Sequence, residues 1–173
     1  MFQETDRKFQ ETALRFNETD RKSRKLEDLF MGPWGKRTIA LVEGELLRVL
    51  RGRGINVTRI SSGQLQILDR YAHEIDLLAK NGEEVVVVKV KTTLVKKDVD
   101  YFLNTLQIFT KSFPEFKDCK IYGVVGFTWS TTENTRYAYR KGLFYLRAVA
   151  ENARILNDTG FKPHNFIPGH QAS

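Results

Sequence analysis

Glu74, Asp76, Lys89 and Lys91 are the side chains of this sequence whose types and spacing point to chemistry. They lie in two β-rich runs separated by Asn81-Gly82, a dipeptide that favours a two-residue hairpin loop. A loop of those two residues pairs Lys80 with Glu83, which sets Glu74 opposite Lys89 and Asp76 opposite Val87. Side chains alternate along a strand, and cross-strand partners share a face. All four charged groups are therefore expected on one face, with Ile75, Leu77, Val86, Val88 and Val90 on the other. Gathered carboxylates can hold a hard divalent cation, and a nearby ammonium can steady negative charge on a phosphate oxygen. Lys89 has the wrong sign for holding a cation, since it offers no oxygen ligand and brings a positive charge to the place the cation would take. The same four groups could instead form a structural ion-paired cluster on an exposed face.

The elements that must position these residues follow from hydrophobic periodicity. Ile39, Val42, Leu46, Val49 and Leu50 predict a helix over 36–51, ended by Gly52 and Gly54. Glu43 falls within that stripe, as an edge residue reaching for water or as a carboxylate aimed into a site; Glu45 falls on the solvated side. Strand-like runs cover 55–60, 66–71, 73–79 and 84–92. Val99, Phe102, Leu103, Leu106 and Phe109 mark a helix over 97–113, closed by Pro114. A strand over 120–128, a helix over 131–141 and a strand over 143–149 follow, and the chain after Asn157 reads as loop. This order predicts an α/β domain, a mixed sheet flanked by helices.

Residues 1–31 are of another kind. Phe2, Phe9 and Phe16 recur every seven residues, with Thr5, Thr12 and Thr19 three positions later. Heptad spacing without Gly or Pro predicts a coiled-coil helix, and a Phe seam facing water favours self-association through residues 2–30. Gly32-Pro33-Trp34-Gly35 ends the helix, giving a coiled coil over 1–31, a domain over 36–157 and a tail over 158–173. The formal charge of +7 resides wholly in residues 31–173, because residues 1–30 hold seven basic and seven acidic side chains. A positive domain suits a phosphate-rich partner, and equally suits simple solubility.

Lys96, Lys97, Lys111, Lys117 and Lys120 flank the helix over 97–113, placed to follow a phosphate backbone or simply solvated. Arg136, Tyr137, Tyr139 and Arg140 interleave basic and aromatic groups, a pattern suited to nucleic acid that half-buried tyrosines also produce. The single Cys119 excludes an internal disulfide, and a reducing, cytoplasmic setting is expected. No apolar run approaches the ~20 residues that span a bilayer, so no membrane partner is expected.

An Asp on one strand, a short hairpin and an acid-x-Lys on the next strand form the signature of the PD-(D/E)XK nuclease superfamily. Glu74-Ile-Asp76 followed by Lys89-Val-Lys91 resembles it, and the likeness extends through Lys141-Gly-Leu-Phe. The chain is similar to prokaryotic proteins that join coiled-coil repeats such as Glu-Thr-Asp-Arg-Lys to a nuclease-like domain. The resemblance implies a restriction-endonuclease-like mixed sheet flanked by helices, DNA as partner, and Mg²⁺ or Mn²⁺ as cofactor where activity is retained. It matches Asp76 to the metal-binding aspartate and Lys91 to the lysine that assists the attacking water. Glu74 and Glu43 match positions of supporting acids, which the resemblance implies as further metal ligands beside Asp76. Lys89 stands where the family has Glu or Asp. Impaired hydrolysis is therefore one expectation, and a catalytically silent nucleic-acid-binding or scaffolding module is the other.

Overall fold

The computed structural model describes residues 35–68 and 71–168, the side chains of 63–68 and 71–74 excepted. The expected coiled coil over 1–31 lies outside the described residues. Helix α1 (35–51) is followed by strands β1 (Arg59–Leu68), β2 (Tyr71–Lys80) and β3 (Glu84–Leu94). Helices α2 (Lys96–Gln107) and α3 (Phe109–Ser112) and a 3₁₀ turn (Pro114–Phe116) lead to β4 (Lys120–Ser130). Helix α4 (Thr132–Arg140) and strands β5 (Phe144–Val149) and β6 (Asn152–Ile155) complete the domain.

The six strands form one sheet in chain order. β1 to β3 form an antiparallel meander, β4 and β5 run parallel to β3, and β6 returns antiparallel to β5. Parallel neighbours need a crossover, and α2 to α3 and α4 provide the two. This is the mixed sheet flanked by helices that the sequence predicts.

The unbroken run Val85–Val88 suits a central strand buried on both faces, and all four valines are fully buried. Val86, Val88 and Val90 pack with Val42, Leu46 and Leu50 of α1. Val85 and Val87 pack with Val99, Phe102 and Leu106 of α2 on the opposite face. Two cores thus sandwich the sheet, and odd-numbered residues of β3 turn towards α2.

Several boundaries differ from expectation. Residues 55–58 are not strand; β1 instead runs unbroken over Arg59–Leu68. The helix expected over 97–113 breaks at Ile108 (φ −107°, ψ 7°), and the turn lets Phe109 stack on Phe113 and Phe116 at 4.9 and 5.7 Å. β6 is an addition to the expected elements: its four residues alternate exposed and buried, too short a run to stand out in the sequence.

The hairpin register is also corrected. Lys80 pairs with Val85 and Leu77 with Val88, two residues further along β3 than the Asn81-Gly82 loop implies. Asn81 belongs to the ladder end, its N–H donating to the Glu84 carbonyl at 3.2 Å. Its side-chain Oδ1 accepts the N–H groups of Glu83 and Glu84 at 2.9 and 2.8 Å. The reversal is thus made by Gly82 and Glu83, with a positive φ at Gly82 (95°) that glycine adopts without strain. A shift of two residues preserves which face each side chain takes, but it changes every partner.

Candidate functional site

The β2–β3 ladder stops at Leu77 and Val88, although β2 continues back to Tyr71 and β3 onward to Leu94. β1 follows β2 throughout, pairing as far as Leu68 with Tyr71. The sheet therefore forks between β2 and β3, and Asp76 stands at the first unpaired position. Its Oδ2 accepts the backbone N–H of Val90 at 2.7 Å. A backbone donor that lost its strand partner is thereby satisfied by a side chain.

The same oxygen lies 3.5 Å from Lys89 Nζ, with the Asp76 and Lys89 side chains 9% and 23% exposed. Lys91 Nζ lies 3.8 Å from Asp98 Oδ1 in the first turn of α2. Asp98 also caps that helix, its Oδ2 accepting the Val95 N–H at 3.0 Å. One acid and one amine on the strands, and a second such pair between strand and helix, make two ion pairs on the α2 face. Ion pairs this sheltered hold their geometry better than exposed ones, because each carboxylate also receives a backbone N–H.

The structure brings Asp76, Lys89 and Lys91 to one face, as period two predicts. It corrects the pairing, since Lys89 meets Asp76 rather than standing opposite Glu74. Glu74 is located by its backbone, in register with Leu65 of β1. Ile75, expected on the Leu77 side, packs instead with Leu78, Val85 and Val87. It lies beyond the fork, where the ladder with β3 no longer fixes the facing of β2. Glu43 is exposed on α1, which packs on the sheet face opposite Lys89. The buried stripe of α1 runs through Thr38, Val42, Leu46 and Val49, rotated away from Glu43. Glu45 pairs with Arg48 on the helix exterior.

Asp98 is absent from the sequence-derived set. Its signal was an acid three residues into a helix that begins directly after the Lys89-x-Lys91 strand. Trp129 is a second addition. It sits in register with Thr93, two residues beyond Lys91 on β4, and is 54% exposed. Phe127 and Val125, two and four residues before it, pack on the α2 side. The alternation therefore places the indole on the face of the two lysines.

A second polar network ties α2 to α4 nearby. The Tyr137 hydroxyl donates to Asp100 Oδ1, and Lys96 and Lys141 sit 4.9 and 5.5 Å from the Tyr137 ring centre. The bond to Asp100 pushes the Tyr137 hydroxyl up to about 12, with burial adding to it. Such a phenol stays neutral at physiological pH, so this is a structural brace.

The resemblance implies a divalent cation, and the described residues do not fit one. Among them no three His, Cys, Asp or Glu side chains cluster closely enough to hold a metal ion. Asp76 offers the described carboxylate at the fork itself, and its Oδ2 atom already meets an ammonium and an N–H; Glu84, at the far end of β3, accepts from the Asn81 amide. Hard cations of this class need several oxygen ligands.

Together these features define a mixed-sheet α/β domain with an acid and two lysines at a strand fork. No family model matches the sequence, and no curated protein does. Among solved structures, the chain is similar to EndoMS in its apo form at 12% identity and a TM-score of 0.39, covering 62% of this chain and 46% of that one. A repair endonuclease from Pyrococcus abyssi gives 12% and 0.39 over 61% and 46%. The small subunit of a heterodimeric restriction endonuclease gives 14% and 0.36 over 80% and 71%. The chain thus spans about half the length of the first two. No helix of the described residues is long and apolar enough to cross a membrane.

Proposed function

We propose that this chain is a nuclease-like DNA-binding domain whose hydrolytic site is disabled by Lys89. The observation that carries this reading is the contact between Lys89 Nζ and Asp76 Oδ2 at 3.5 Å. An ammonium tethered to the strand takes the position beside the aspartate where the PD-(D/E)XK motif places a second acid. The acid-rich corner is neutralised internally, so the fold is kept while cation recruitment is lost. Lys91, paired with Asp98, carries a positive charge that a phosphate oxygen can also meet. The exposed Trp129 indole, in register with Thr93 and on the same sheet face by strand alternation, offers a flat apolar surface that suits a nucleobase. Glu43 has no place in this reading, and Glu74 supplies at most an auxiliary acid.

A catalytically silent scaffolding module is the second reading, and the same ion pair favours it. Calorimetric titration of the full chain with Mg²⁺ and Mn²⁺, beside Lys89→Glu, separates the possibilities. The expected outcome is no specific heat for the unaltered chain and saturable binding for Lys89→Glu. Metal-dependent cleavage by the unaltered chain, abolished in Asp76→Ala, would overturn the disabled-site reading. An inert Lys89→Glu that keeps its fold would overturn the assignment of the site itself. Absence of DNA binding by the unaltered chain at low salt would leave scaffolding as the function.

A further inference from the structure

At the opposite end of the parallel strands lies an open trough of about 1170 Å³. Its walls are the end of α2, the start of β4, the end of α4 and the chain after β6. Lys120 is in register with Glu84 and Val125 with Lys89, so five residues of strand, roughly 16 Å, separate the trough from the fork.

The chain after β6 forms the far wall and is firmly built. The Asn157 amide donates to the Leu143 carbonyl, and its Oδ1 accepts the Tyr145 N–H at 2.8 Å. The Tyr139 hydroxyl donates to Asp158 at 2.6 Å, and Phe161 packs on Tyr139 and Phe144. Further on, Phe166 N–H donates to the Ile121 carbonyl, and Asn165 Oδ1 accepts the Ile121 N–H. These bonds continue the sheet edge of β4 before β5 begins. Gly142 makes the docking possible: at φ +81°, a Cβ there would stand 2.4 Å from His164 Cβ.

Lys120, Arg140, Lys141 and Lys162 line the trough, and among the described residues no Asp or Glu does, although the chain has 21 acids. Acids on adjoining segments already have partners: Asp158 accepts from the Tyr139 hydroxyl of the trough wall, and Glu84 from the Asn81 amide at 3.1 Å. The same trough is lined by the partly exposed rings of Tyr122, Phe161 and Phe166. Cations and aromatic side chains sharing one open trough suit a flexible polyanion whose bases can turn out of stack. A rigid duplex would present its phosphates but not its base faces to those rings.

We infer that this trough is a second nucleic-acid site, one that takes a single strand. The inference deepens the DNA-binding reading, and it rests on residues that the fork does not use. The test is fluorescence anisotropy of a labelled 20-nucleotide oligodeoxythymidine with the full chain at low and moderate salt. Lys120→Glu combined with Lys162→Glu alters two exposed side chains and should leave the melting temperature unchanged. It is expected to weaken single-strand binding at least tenfold and to flatten the salt dependence by about 1.4 in log–log slope. Lys36→Glu combined with Arg37→Glu, an equal charge change on exposed α1 positions, should have a smaller effect. Equal loss in both double variants, no loss in the first, or a loss seen for a 20-base-pair duplex and not for the single strand would overturn the inference. Lys91→Ala and Trp129→Ala report on the fork in the same assay, so failure of either site is read separately.

Discussion

At the fork, Asp76, Lys89, Lys91 and Asp98 answer one another across β2, β3 and α2, whereas at the trough four cations surround a space without a described lining carboxylate. The first arrangement is self-neutralised and holds the sheet together. The second leaves positive charge for an outside partner to balance. Two ends of one sheet thus separate a layout that resembles a catalytic one from a capacity to bind, and net charge alone would hide the difference.

The sharpest way to break this comparison is the charge reversal at Lys120 and Lys162. Its tenfold effect on strand binding should have no counterpart at Lys89, where replacement by Met removes a cation already paired. Anisotropy on both variants decides it, and an equal loss for Lys89→Met would erase the contrast.

Stability should rank the two ends in reverse. Asp76→Ala strips a sheltered N–H and an ammonium of their acceptor, a loss of about 1–3 kcal/mol in urea unfolding. Asp76→Asn, which keeps an oxygen for Val90, should recover much of it. At the trough, Gly142→Ala combines a left-handed φ with the collision at His164 and should cost about 1–2 kcal/mol. Limited proteolysis should then cut after Asn157 before the core strands yield.

The smallest effect is electrostatic. The Tyr137 hydroxyl is held up to about 12 against an ordinary value of 10. The unfolded chain therefore loses that proton first as pH rises, and the brace weakens between pH 10 and 12. Tyr137→Phe should remove that slice of alkaline sensitivity in pH-dependent melting. Asp158, held below its usual range by the Tyr139 hydroxyl, acts with the opposite sign. Its contribution is complete above the unfolded carboxylate range and fades as acid titrates the folded group.

The face shared by Asp76, Lys89 and Lys91 was legible because strand alternation is local and parity survives an even slip in register. The partner of Lys89 was not legible. Asn81-Gly82 reads as the loop itself, and nothing in the dipeptide reveals that the Asn81 side chain closes the turn from the ladder end. The fork is tertiary, set by where β2 leaves β3, so Asp98 and the displaced Ile75 followed from nothing periodic. The distance of Glu43 from Lys89 was not legible either, because which face of the sheet α1 covers is a tertiary fact that its hydrophobic stripe does not carry. The wall after β6 is held by single asparagine and tyrosine bonds, which leave no pattern in hydropathy.

The bond from Val90 N–H to Asp76 gives that carboxylate an architectural employment that depends on no chemistry. A residue so employed cannot be discarded without cost to the fold. Lineages that have shed cleavage would therefore keep the aspartate and lose its neighbours, so its presence dates the scaffold rather than the activity.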